Sequence, residues 1–133
     1  MSAPAPIVVE NLSHSFGKGP LRKQILFDIS TTIPTGEIVI LNGPSGSGKT
    51  TMLTIVGALR SAQEGSVRVL GEELCNASPA TLERVRRQIG FIFQQHNLLA
   101  ALTAQQNVEL GLRVTGNLTP TQISRRAREM LDA

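Results

Sequence analysis

The sequence is poor in several residue types that carry chemistry. It has one cysteine, Cys75, no tryptophan or tyrosine, and only four aromatic residues, all phenylalanine. A single thiol excludes an internal disulfide and fits a reducing compartment. Cys75 has no sequence partner at redox or metal spacing and reads as an inert thiol. The two histidines, His14 and His96, lack metal-ligand spacing and are expected on the surface or in loops. No phenylalanine interleaves with the arginine clusters Arg84, Arg86, Arg87 and Arg125, Arg126, Arg128. Those arginines therefore read as solvated helix faces, not as a nucleic-acid patch. No apolar run approaches 18 residues, so nothing is expected to span a membrane. Residues 1–6 have neither the positive charge nor the apolar core of a secretory signal. A cytoplasmic protein is expected, held at a membrane only by a partner.

What is present suits a small globular domain or part of a larger one. The chain has 133 residues, 41% apolar, with a formal charge of +3. Ile7-Val8-Val9 is β-branched and predicts a strand. Ile25, Phe27, Ile29 and Ile33 share one parity, which predicts a half-exposed antiparallel strand. Glu37–Leu41 is a continuous apolar run, the pattern of a strand buried on both faces of a parallel sheet. Thr51–Leu59 is apolar nearly all round and predicts a buried helix. Ser66–Leu70 and Gly90–Phe93 read as further strands. Ser78-Pro79 is a helix start, and Thr103/Gln106 and Thr119/Gln122 are spaced as capping boxes. In the last helix Ile123, Ala127, Met130 and Leu131 share one face.

Residues 43–50 read G-P-S-G-S-G-K-T, which fits G-x-x-x-x-G-K-[ST] between a predicted strand and a predicted helix. Gly43, Gly46 and Gly48 leave no Cβ between backbone and ligand, so successive N–H groups of the loop, which also contains Pro44, Ser45 and Ser47, can converge on an anion. The helix start adds unpaired N–H groups and the positive end of its dipole. Lys49 supplies a point charge for the β- and γ-phosphates of a nucleoside triphosphate, expected to be ATP. The Thr50 hydroxyl is a hard oxygen ligand for Mg²⁺, and Thr51 adds a phosphate contact.

Three features narrow the class. The glycine loop lies behind a strand-rich segment, Phe16 precedes it in N-L-S-H-S-F-G, and I-G-F-I-F-Q-Q-H-N-L-L (89–99) follows it. With G-E-I-V-I-L-N-G-P-S-G-S-G-K-T-T-M-L and G-A-L-R-S-A-Q-E-G-S-V-R-V-L-G, this arrangement resembles the ATP-binding subunit of ABC transporters. Within that family it resembles the lipoprotein-release and macrolide-export branch, and there the heterocyst-type exporters. The resemblance implies an α/β P-loop NTPase fold. Its parts are a partial parallel sheet with flanking helices, an N-terminal antiparallel β segment, and the start of a helical subdomain. On that basis residues 1–97 form the ATP-binding core and 98–133 the helical subdomain, truncated.

The resemblance also implies site roles. Phe16 aligns with the aromatic that stacks on adenine; the alternative is a phenylalanine packed under the sheet. Gln94 aligns with the glutamine that approaches Mg²⁺ and the attacking water, and whose loop touches the membrane permease subunit; the alternative is a solvated loop residue. No complete catalytic set is expected, Lys49 and Gln94 being the family's contributing residues; Thr50 and Gln94 are the implied metal ligands, and a second ATP-binding subunit the expected partner. The assembled protein would sit peripherally on the cytoplasmic face of the inner membrane. The sequence departs from the family in having no L-S-G-G-Q signature, no apolar run ending in Asp-Glu, and no switch histidine. A fragment is therefore expected, binding nucleotide weakly, hydrolysing almost none and prone to aggregate through an unpaired sheet edge. Two other readings remain open here. One is a small kinase, because G-P-S-G-S-G-K-T also resembles guanylate kinase; the other is a non-catalytic regulatory fragment.

Overall fold

The computed structural model describes residues 4–95, 97–114 and 116–133, which form two compact units divided between Ile89 and Gly90. The first unit is built on a four-stranded antiparallel sheet of order β2-β1-β3-β4. Its strands are β1 (Ile7–Phe16), β2 (Lys23–Ile33), β3 (Glu64–Val69) and β4 (Glu72–Glu73). Helix α1 (Lys49–Val56) packs against it, and α2 (Pro79–Arg86) follows β4. Val9, Leu12, Leu26, Ile55, Val67, Val69, Leu74 and Val85 form one buried cluster with Ala58 and Ala62.

Strand β1 runs on to Phe16, well past the β-branched triplet Ile7-Val8-Val9. The polar stretch from Glu10 stays in the sheet because β2 pairs one edge as far as Phe16 and β3 pairs the other as far as Ser13. Near Asn11 the register slips on both sides. Side chains satisfy the backbone there: Asn11 N donates to Ser30 Oγ (2.9 Å), Asp28 N donates to Ser13 Oγ (3.0 Å), and Asn11 Nδ2 donates to Asp28 Oδ1 (2.7 Å). Asp28 has a positive φ of 48°, and the bulge breaks the parity expected for β2. Leu26 is buried, while Phe27, expected on the inner parity, is largely exposed.

Helix α1 begins as expected but stops at Val56. Ala58 turns left-handed, and Leu59 N and Arg60 N both donate to Thr54 O (2.9 and 3.0 Å). The helix is not buried all round: Ile55 is in the core, but Leu53 is 52% exposed. Arg86 of α2 donates from Nη1 to Ala58 O (2.8 Å), tying the end of α1 to α2. Ser78 caps α2 by accepting from Thr81 N (3.2 Å).

Glu37–Leu41, expected as a strand of a parallel sheet, lies without a paired neighbour among the described residues. Ile38 is 96% and Ile40 87% exposed. Gly90–Phe93, also expected as a strand, is likewise unpaired. An apolar run becomes a ladder only where adjacent strands take up its N–H and C=O groups, and among the described residues neither run has one.

The second unit, residues 90–133, contains helices α3 (Ala104–Val114) and α4 (Pro120–Leu131) packed on each other. Both expected capping boxes form. Thr103 N donates to Gln106 Oε1 (2.8 Å) and Gln106 N to Thr103 Oγ1 (3.2 Å). Thr119 and Gln122 repeat the exchange at 2.8 and 3.4 Å. Ile123 and Ala127 are buried, whereas Met130 and Leu131 at the end of the same face stay exposed.

Candidate functional site

The glycine loop joins the extended segment 37–42 to the first turn of α1. Gly46 and Gly48 both lie in the left-handed region, at φ 80° and 89°. A Cβ on Gly48 would stand 2.5 Å from Leu26 Cδ2, so loop and β2 approach closely only because the residue is glycine. Ser47 N donates to Pro44 O (3.3 Å), which tightens the loop into a turn. Gly48 is the N-cap of α1 and offers no side-chain cap. The first N–H groups of α1, at Lys49, Thr50 and Thr51, have no carbonyl four residues earlier within the helix. They therefore supply donors and partial positive charge at one point.

Lys49 reaches back over the loop. Its ammonium donates to Gly43 O and Pro44 O, both at 2.7 Å, and lies 3.4 Å from Ser47 Oγ. The ammonium is thus held by the two carbonyls at the start of the loop. A hollow of about 560 Å³ opens here, lined by Ser45, Gly46, Gly48, Lys49, Thr50 and Thr51 together with Phe16 and Ile25. Gly43, Pro44 and Ser47 line the neighbouring hollow of about 230 Å³, with Leu26, Ile29 and Met52. Phe16, at the end of β1, is 37% exposed and so is presented to the larger hollow. Gln94 is exposed and belongs to the second unit.

The donor set suits a polyphosphate carrying its own cation. Among the described residues no cluster of three His, Cys, Asp or Glu side chains forms a metal cage. Mg²⁺ is commonly held by one or two protein oxygens and the phosphates themselves. The Thr50 hydroxyl, on the lining of the hollow, is such an oxygen.

Three residues next to Phe16 were not legible as part of this region. His14, expected on the surface, is buried at 4% exposure, and its Nδ1 has no hydrogen-bond partner. It faces inward because it pairs with Leu26 in the β1–β2 register. Its ring meets Phe16 edge-on, with centroids 5.0 Å apart. Arg60 lies over the Phe16 ring, 4.7 Å from its centroid. Gln63 grips the backbone of Ser15 from both sides: Ser15 N donates to Oε1 (2.9 Å) and Nε2 donates to Ser15 O (3.0 Å). His96 lies outside the described residues.

Burial, aided by the Arg60 charge, holds the His14 imidazole below its ordinary value. The unfolded chain therefore takes up this proton first. Stability contributed by neutral His14 is full above about pH 6.5 and is lost as pH falls below it, at up to about 1.4 kcal/mol per pH unit. Urea midpoints at pH 7 and pH 5.5 are expected to separate more for the wild type than for His14→Leu. Equal separations would show that His14 titrates freely.

A glycine loop between an extended apolar segment and a helix start, with a lysine turned over it, defines a P-loop NTPase. Residues 26–133 match the family model for the ABC transporter. The chain belongs to the ABC transporter family. It is 44% identical over 129 residues to the lipoprotein-releasing system ATP-binding protein LolD 2 of Rhodospirillum rubrum, covering 95% of this chain and 55% of that protein. It is 46% identical over 105 residues to the macrolide export ATP-binding/permease protein MacB of Neisseria gonorrhoeae, covering 78% of this chain and 16% of that protein. Both relatives lie in the lipoprotein-release and macrolide-export branch. Among solved structures, the ATP-binding cassette MJ0796, a dimer in a post-hydrolysis state bound to ADP and Pi, superposes with a TM-score of 0.85 at 36% identity. That superposition covers 95% of this chain and 56% of the cassette. The chain therefore spans little more than half the length of LolD 2 and of the solved cassette.

Proposed function

We propose that the chain binds Mg-ATP in the hollow between the glycine loop and Phe16, as the nucleotide-binding part of an exporter-type transport ATPase. The observation that carries this reading is the convergence on one hollow of the Lys49 ammonium, the α1 start and an exposed aromatic ring. Gly43–Thr51 would hold the phosphates, Thr50 the Mg²⁺, and Phe16 the adenine. The loop that carries Gln94 would meet a membrane permease subunit. A second ATP-binding subunit would be the other partner, as the dimeric cassette suggests. No helix among the described residues is long and apolar enough to cross a membrane, which is compatible with peripheral attachment on the cytoplasmic face of the inner membrane.

Calorimetric titration with ATP, with and without Mg²⁺, tests the site. Mg²⁺ is expected to strengthen ATP binding by the wild type. In Thr50→Val that gain should shrink by about tenfold, the value of one contact to a charged partner. An undiminished gain would remove Thr50 from the metal site. GMP phosphorylation by the chain would overturn the transport reading in favour of a nucleotide kinase.

A further inference from the structure

Phe16 lines two hollows. The first is the phosphate-loop hollow already described; the second, of about 500 Å³, is bounded by His14, Ser15, Leu59, Arg60, Ser61 and Gln63. Arg60 lines only the second. Its guanidinium lies over one face of the ring, 4.7 Å from the centroid. Among the described residues Arg60 forms no ion pair, so no carboxylate competes with the ring for its charge. One residue earlier in β1, the Gln63 amide makes both hydrogen bonds that a neighbouring strand would make to Ser15. Arg60 and Gln63 both come from the connection between α1 and β3. The left-handed Ala58 starts that connection, and Arg86 of α2 bonds to its carbonyl.

We propose that Arg60 and Gln63 are positioning residues for Phe16, holding the ring as the stacking face for the nucleotide base. Gln63 fixes the backbone that carries the ring, and Arg60 fixes the ring plane by covering one of its faces. Phenylalanine has no hydroxyl with which to anchor its own ring, so its orientation depends on what packs on it. A cation over one face also withdraws electron density and favours an electron-rich base on the other. The helix that presents the phosphate-binding amides thus continues directly into the support for the base.

This rests on the reading of Phe16 as the base platform, and the test separates the two. Binding of Mg-ATP and of Mg-tripolyphosphate, which has no base, is measured by calorimetry for the wild type, Arg60→Met, Arg60→Lys and Gln63→Met. Both positions are exposed, so the substitutions leave the core intact. Arg60→Met and Gln63→Met are expected to weaken ATP binding by about two- to fivefold. Tripolyphosphate binding should not change, and Arg60→Lys should recover most of the loss. Equal weakening of both ligands would overturn the proposal, since it would mark a general charge or folding effect. Unchanged ATP binding in both Met variants would overturn it as well. If the wild type binds ATP no more tightly than tripolyphosphate, the platform reading itself falls, and the proposal with it.

Discussion

Lys49→Ala is expected to abolish measurable ATP binding, a loss of more than about a hundredfold. The Lys49 ammonium does two things at once. It closes the glycine loop by donating to Gly43 O and Pro44 O, and its residue lines the same hollow as the α1 start. Its removal takes away the one side-chain charge on the loop and leaves those two carbonyls without this donor. Contacts between an ammonium and anionic oxygens are among the stronger polar interactions, and the loss of two or three accounts for about 3 kcal/mol or more. Lys49→Arg should fail nearly as badly, because a planar guanidinium cannot follow the same path over the loop. Calorimetry with Mg-ATP reads the loss, and far-UV circular dichroism should be unchanged, since Lys49 is outside the buried cluster. Equal affinity in wild type and Lys49→Ala would refute the assigned site.

Gly65→Ala should lower the unfolding free energy by about 3 kcal/mol. Gly65 adopts φ 93° in β3, where a side chain costs roughly 1–2 kcal/mol. A Cβ there would lie 2.5 Å from Asn11 O and 2.6 Å from Glu10 O. Both contacts are with backbone held in the central strand, so relief requires β1 and β3 to separate, adding roughly 1–3 kcal/mol. Gly71 provides the comparison. It too has positive φ, 83°, but a Cβ there meets nothing within 4 Å. Gly71→Ala should therefore show only the conformational part, about 1 kcal/mol. Urea denaturation of the two variants decides the matter, and equal costs would mean that the close approach at Gly65 is easily relieved.

The backbone of the glycine loop was legible because its requirements are local: glycine where φ is positive and a helix directly behind. The helix starts at Ser78, Thr103 and Thr119 were legible for the same reason, since a cap and its partner lie three residues apart. The extent of β1 was not. Asn11, Ser13 and His14 lack strand propensity, and what keeps them in the sheet is pairing with residues such as Asp28, Ser30 and Glu64 far along the chain. His14 was placed outside for want of any local sign of burial, although it shares the parity of Leu12. Nor does anything near Arg60 or Gln63 in sequence point to Phe16. Conversely, 37–41 and 90–93 carry the apolar signature of core strands and lie unpaired among the described residues. Composition specifies what a segment can bury, while pairing depends on what lies beside it.

The place of β1 in the sheet bears on the order of events during synthesis. It emerges first, yet it sits between β2 and β3. Its pairing with β2 can form once Ile33 has been made, whereas its pairing with β3 must wait until Val69, the partner of Ile7, has been added. At ribosomal rates of roughly 5–20 residues per second, that interval lasts seconds. Throughout it the nascent hairpin presents one bare row of backbone donors and acceptors, the row that β3 will later claim.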